Sequence, residues 1–121
     1  MRILITGSRD WNRSMDIVDA LFVETNLIDD KSSVTVVHGD APGADTLAGQ
    51  IAVLFGFKVE AYPADWNKYG KKAGFIRNSE MINLGADICL AFIRAESRGA
   101  TMCADLAEKA GIPVKRFITN N

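Results

Sequence analysis

The sequence predicts an α/β fold, with a mainly parallel five-stranded sheet between helices on both faces. Two observations carry this. Short apolar or β-branched runs alternate with helical patterns along the whole chain, which is how repeated βα units read in sequence. Three of the helical patterns stop at a glycine (Gly56, Gly85 or Gly111) and hand over to a β-rich run within a few residues, as parallel sheets require. The chain has 121 residues, 48% of them hydrophobic. That is enough to bury a core as one domain spanning residues 1–121.

The elements follow in order. Ile3-Leu4-Ile5 opens the first strand. A helix follows from about Met15 to Leu27, with Ile17, Val18, Leu21 and Phe22 as its apolar residues. Val34 to Val37 is a second β-branched run. Ala44 to Phe55 reads as a helix with Leu47, Ile51, Leu54 and Phe55 on one stripe, stopped by Gly56. Phe57 to Ala61 is the third strand, and a loop through Tyr62, Pro63, Asp65 and Trp66 leads to a helix over Lys72–Leu84. Ile88 to Phe92 is the fourth strand. A helix from about Gly99 to Ala110 and a strand from Val114 to Phe117 complete the pattern.

Composition excludes several classes. A net charge of −1 gives no basic field for nucleic acid or an acidic membrane, so neither is expected as a partner. No apolar run approaches the length of a membrane-spanning helix, and the N-terminus reads directly into a strand. Cys89 and Cys103 lack metal-ligand spacing and suit reduced core thiols of a cytoplasmic protein. His38 is the only histidine, so no metal site is expected. No G-x-G-x-x-G or G-x-x-x-x-G-K-[ST] motif occurs, which weakens standard dehydrogenase and P-loop readings. No cofactor is expected either.

Parallel sheets bind ligands beyond the carboxyl ends of their strands, and here those loops are unusual. The first is Thr6-Gly7-Ser8-Arg9-Asp10-Trp11, and the second runs from His38 through Gly39, Asp40 and Gly43 to Asp45. The third supplies Tyr62, Asp65 and Trp66; the fourth supplies Arg94, Glu96, Ser97, Arg98 and Gly99. Glycine permits close backbone approach, and a helix N-terminus offers free N–H groups with partial positive charge. Each loop alone reads more readily as a tight strand-to-helix turn. Several converging on one sheet edge read as a cradle for phosphate and ribose. Asp40 and Asp45 are candidates for ribose hydroxyls or general-base work, and Asp45 equally for the first turn of its helix. Ser8 and Ser97 either bind phosphate or end turns.

The stretch from Phe75 to Met81 is the most informative. Arg77, Met81 and Leu84 share one helical face, as do Phe75, Asn78 and Ile82, and both sets fall on the apolar side. A half-buried arginine needs an anion. The residues leave open whether that anion is a ligand or a carboxylate of the same chain. Lys68, Lys71, Lys72 and Arg77 form a local basic patch interleaved with Trp66, Tyr69 and Phe75. Such aromatics can stack a base while cations hold phosphate.

These landmarks resemble the SLOG superfamily, in particular its YspA/YpsA-related branch. The resemblance runs through Gly7-Ser8-Arg9-Asp10-Trp11, Val37 to Asp45, Gly70 to Met81 and Ser97-Arg98-Gly99. It implies a Rossmann-like three-layer domain that binds a nucleotide or nucleotide-derived ligand. Relatives include DprA and the LOG phosphoribohydrolases, which cleave a cytokinin nucleotide into base and ribose phosphate. Others sense ADP-ribose-type signals or act on single-stranded DNA. The LOG enzymes carry Arg-Lys-x-x-Met on a helix, and Arg77-Asn78-Ser79-Glu80-Met81 looks like its counterpart, which gives Arg77 the phosphate or catalytic role. Their Pro-Gly-Gly-x-Gly-Thr-x-x-Glu loop aligns on Gly99. Cys103 then stands where the catalytic glutamate belongs, and Asp105 lies about 200° further round the helix.

The resemblance therefore implies binding of an ADP-ribose-like or nucleoside monophosphate ligand. Gly7, Gly99 and Arg77 would hold phosphate, Asp40 or Asp45 ribose, and Trp11 or Trp66 the base. The ligand-binding set is completed by Ser8, Arg9, Gly39, Gly43, Lys71, Asn78, Ser97 and Arg98. The alternative is an N-glycosidase using Arg77 with Asp40, Asp45 or Glu80. An even-numbered homo-oligomer, most simply a homodimer, is expected from the LOG relatives.

Overall fold

The computed structural model describes residues 1–95 and 97–120. Among these residues five strands form one sheet: β1 (Arg2–Gly7), β2 (Thr35–His38), β3 (Lys58–Ala61), β4 (Ile88–Arg94) and β5 (Val114–Thr119). Their order is β3-β2-β1-β4-β5, and every pairing is parallel. The helices are α1 (Ser14–Thr25), α2 (Ala44–Phe55), α3 (Trp66–Tyr69), α4 (Ala73–Asn83) and α5 (Arg98–Lys109). The fold is Rossmann-like with three layers.

Strand alternation divides the core. Ile3, Ile5, Val36, Leu90 and Phe92 pack on one side with Ile17 and Leu21 of α1 and Ala48 of α2. Leu4, Val37 and Cys89, one position out of step, face Met81 of α4 and Cys103 of α5 on the other. The period of two along each strand sets this division. Each fully buried leucine, isoleucine or phenylalanine contributes roughly 1.5–3 kcal/mol. α1 and α2 pack over one face, and α4 and α5 over the other.

The glycine stops appear as read. Gly56 follows α2 at φ 85° and donates its N–H back to Ala52 and Val53, a left-handed ending that L side chains strain to adopt. Gly85 and Gly111 take the same conformation.

The region after β3 differs from the loop that the sequence suggests. Asp65 accepts a hydrogen bond from the Lys68 N–H at 3.1 Å and starts the short α3, and a 3-10 turn over Gly70–Lys72 runs into α4. On α4, Asn78, Met81 and Ile82 are buried, but Phe75 and Leu84 are largely exposed. Ala73 at the helix start is buried with them, so the buried stripe runs through Ala73, Asn78, Met81 and Ile82 and leaves Phe75 and Leu84 off it.

Candidate functional site

The strand order reverses between β1 and β4, the switch point at which parallel sheets hold ligands. A cleft of about 630 Å³ opens there. Each loop contributes to it differently.

Gly7 ends β1. A Cβ at this position would collide with the Cβ of Ala44 and stand 2.7 Å from the Phe92 carbonyl, so only glycine lets the start of α2 lie against β1. Ser8 is buried and knits the surroundings together. Its N–H donates to the Phe92 carbonyl at 2.9 Å, and its own carbonyl accepts from the Trp11 and Ala44 N–H groups at 3.2 Å. Its Oγ accepts from the Arg94 N–H at 2.7 Å. Ser8 supports the floor and does not line the cleft. Trp11 is a correction to the sequence reading. It is 3% exposed, lies edge-on to Phe92 with centroids 5.5 Å apart, and donates Nε1–H to the Arg13 carbonyl at 3.1 Å. Its ring is committed to the core and is closed to a base. Arg9 and Asp10 do line the cleft. Asp10 pairs with Arg94 at 2.7 Å, a wall that the sequence reading did not assemble because its halves lie far apart in the chain.

The second loop holds Arg77. A Cβ on Gly39 would stand 2.5 Å from Arg77 Nη1, so the missing side chain makes room for the guanidinium. Nη1–H donates to the Gly39 carbonyl and more distantly to that of Tyr62, at 3.5 Å. Nε–H donates to Asn78 Oδ1 at 2.7 Å. Among the described residues no carboxylate forms an ion pair with Arg77. Arg77 faces the cleft with Asp45 acting on it only through space, beside Asn78, which also lines the cleft.

Asp45 sits in the first turn of α2 and is 5% exposed. Its Oδ2 accepts from the Gly39 N–H at 3.0 Å and the Ala41 N–H at 3.4 Å. Its Oδ1 is buried without a hydrogen-bond partner among the described residues. Burial pushes its carboxyl up to about 6, against the pull of the Ala41 N–H and Arg77. Gly43 precedes α2 at φ 80°, where a Cβ would strike the Ser8 and Arg9 carbonyls; it serves the turn. His38 Nδ1 accepts from the Asp40 N–H at 2.9 Å, so the neutral ring carries its proton on Nε2, close against Gly49. Burial lowers its pKa. Asp40 is exposed at φ 56° and lies outside the cleft lining. Glu80 is likewise exposed and outside it.

Trp66, Lys71 and Phe75 form the opposite rim. Trp66 is 49% exposed, and the Arg9 guanidinium lies 5.7 Å from its ring centroid. Ser97, Gly99 and Ala100 bring the N-terminus of α5 to the same lining. Ser97 makes no side-chain cap, and the first N–H groups of a helix lack intrahelical acceptors. A Cβ on Gly99 would meet nothing within 4 Å. Arg98 turns away to a shallow hollow of about 560 Å³ on the outer side of α5, with Asp105 and Lys109. Glu96 of this loop lies outside the described residues.

Cys103, aligned with the LOG glutamate, is fully buried beside Cys89. Burial raises both thiols, Cys89 to about 12. Asp105 pairs with Arg116 at 2.9 Å and offers no carboxylate in its place. Among the described residues no cluster of His, Cys, Asp or Glu could hold a metal, and no helix is long and apolar enough to cross a membrane.

The fold and the cleft define a class of parallel α/β proteins with a crevice at the sheet's switch point, lined here by Arg9, Arg77 and Arg94. Residues 1–69 match the model of the YspA, cpYpsA-related SLOG family, and the chain belongs to that family. The chain is 47% identical over 121 residues to the Gene 61 protein of Mycobacterium phage D29, covering 96% of this chain and 95% of the relative. No solved structure matches significantly. The family match takes in Gly7, Gly39, Asp45 and Trp66 but ends before Arg77 and Gly99.

Proposed function

We propose that residues 1–121 act as a single SLOG-type domain that binds a nucleotide or nucleotide-derived ligand, an ADP-ribose-like molecule or a nucleoside monophosphate, and so senses or sequesters it. The observation that carries this is that Arg77, in ion-pair contact with no described carboxylate, shares one cleft with the N-terminus of α5, where Ser97 makes no side-chain cap. Both favour an anion. Phosphate sits at Gly99 and Arg77, the sugar near Asp45, and the base against Trp66. Isothermal titration calorimetry with ADP-ribose, cyclic ADP-ribose, AMP and NAD tests it. Micromolar binding of at least one, lost in Arg77→Ala, is expected; no heat from any of the four sinks the proposal.

The second reading, an N-glycosidase releasing base from a nucleoside monophosphate, draws support from Asp45. Of the carboxylate candidates it is the one that is buried and lines the cleft. A carboxyl held near 6 can exchange protons at neutral pH. Cys103 speaks against a LOG-type reaction, because a buried protonated thiol stabilises no developing positive charge. Free base released from AMP, and abolished in Asp45→Asn, would favour this reading.

We place the protein in the cytoplasm, where Cys89 and Cys103 stay reduced. We also propose an even-numbered homo-oligomer. Exposed Phe22, Val23, Val53 and Leu54 on α1 and α2 supply apolar surface for it, and light scattering after gel filtration reads the mass directly.

A further inference from the structure

Among the described residues, Asp45 Oδ1 is the only buried side-chain oxygen or nitrogen without a hydrogen-bond partner. It belongs to a residue that lines the cleft. The side chain cannot turn to find an acceptor's partner elsewhere, because Oδ2 is held by the Gly39 and Ala41 N–H groups. Nor does the nearby cation satisfy it. Arg77 makes no hydrogen bond to it: its Nη1–H and Nε–H groups go to the Gly39 and Tyr62 carbonyls and to Asn78. A buried acceptor left bare is costly, so this oxygen is matched to a donor that arrives from outside.

The surroundings select the donor. Arg77 and the start of α5 already make the cleft receptive to an anion, so the donor is a neutral group on an anionic molecule. The exposed ring of Trp66, the start of α5 and the deeply buried Asp45 all line this one cleft. In a nucleotide the part between ring and phosphate is the sugar, and its donors are hydroxyls.

We propose that Asp45 is the specificity-determining residue of the cleft: Oδ1 accepts a hydrogen bond from a ribose hydroxyl, so the cleft takes ribonucleotide-type ligands in preference to their deoxy counterparts. This rests on the nucleotide reading given above. The charged and titratable groups that act on Asp45 are Arg77 of α4 and Asp40 of the preceding loop; the thiols of Cys89 on β4 and Cys103 on α5 also feel its charge. A hydroxyl binds a carboxylate more tightly than a carboxyl, so the preference grows with deprotonation of Asp45.

The test is calorimetric titration of the full chain with AMP, 2′-deoxy-AMP, 3′-deoxy-AMP and ribose 5-phosphate, at about pH 5 and about pH 7.5. One deoxy compound binds at least about tenfold more weakly than AMP at the higher pH, and the gap narrows at the lower. All three nucleotides carry the same phosphate, so its own ionisation cancels in the ratio. In Asp45→Asn the gap shrinks and loses its pH dependence. Deoxy compounds binding as well as AMP overturn the inference and leave the nucleotide reading standing. So does a gap that is the same at both pH values in the unaltered protein, a measurement that needs no variant to fold. A gap unchanged in Asp45→Asn assigns the preference elsewhere and also overturns it. If neither AMP nor ribose 5-phosphate binds, the inference falls; if ADP-ribose fails as well, the nucleotide reading falls with it.

Discussion

The guanidinium of Arg77 occupies the space that a side chain at position 39 would fill, with Nη1 2.5 Å from where a Gly39 Cβ would stand. The two residues are a matched pair. Gly39→Ala forces the arginine out of its seat without straining the backbone, because Gly39 does not adopt a positive φ. We expect a stability loss of about 1–3 kcal/mol from overpacking, together with weaker nucleotide binding. Urea unfolding and calorimetry on the same variant check both.

Arg77→Ala removes the cation while sparing the core. We expect phosphate-bearing ligands to bind about tenfold or more weakly, as for loss of a charge-assisted hydrogen bond. Arg77→Lys does not restore affinity, since an ammonium cannot donate to the Gly39 carbonyl, to Asn78 and to a ligand in the same fork. Titration with AMP compares the two variants.

Asp45 makes stability depend on pH. Its carboxyl is raised from 3.8 to about 6 in the folded protein, so between these values the folded state holds more protons than the unfolded. Stability therefore falls as pH rises from about 4 to about 6, by up to about 3 kcal/mol. In the ligand-free protein Asp45→Asn keeps an acceptor for the Gly39 and Ala41 N–H groups and removes the charge. It is expected to be more stable than the unaltered chain at pH 7, with the difference closing toward pH 4. Urea midpoints across that range give the answer, and a flat difference would sink it.

Trp66 stands at the rim with half its surface open, so Trp66→Ala changes stability by no more than about 0.5 kcal/mol. It weakens AMP by about 1–3 kcal/mol through lost stacking and leaves ribose 5-phosphate unaffected. Equal losses for both compounds would place the base elsewhere.

Cys89 and Cys103 are fully buried and protonated. Neither is expected to react with a thiol reagent in the native protein, and both should react in denaturant. A native thiol that titrates rapidly contradicts this burial.

The sequence made the sheet and its helices legible because strand runs, helical stripes and the stops at Gly56, Gly85 and Gly111 are local signals. The short α3 escaped because four residues carry too little periodicity, and its start depends on one cap at Asp65. Arg77, Asn78, Gly99 and Trp66 were legible as cleft residues from their loops and helix. Trp11 was misread because a tryptophan in a glycine-bearing loop looks like a stacking platform. Its burial depends on Phe92, a contact distant in sequence. Asp45 could be read as a helix-start residue, but its bare Oδ1 exists only once the surrounding elements have closed over it. The Asp10–Arg94 wall is tertiary in the same way.

Ser8 ties the first loop, the head of α2 and the end of β4 into one unit through its N–H, carbonyl and hydroxyl. That side of the crevice is consequently stiff before any guest arrives, and capture requires little loss of chain entropy there. Adaptation to guests of different size falls to the opposite wall, where Trp66 and Lys71 flank Gly70 at φ 60° and open space lies on the side that a Cβ there would occupy.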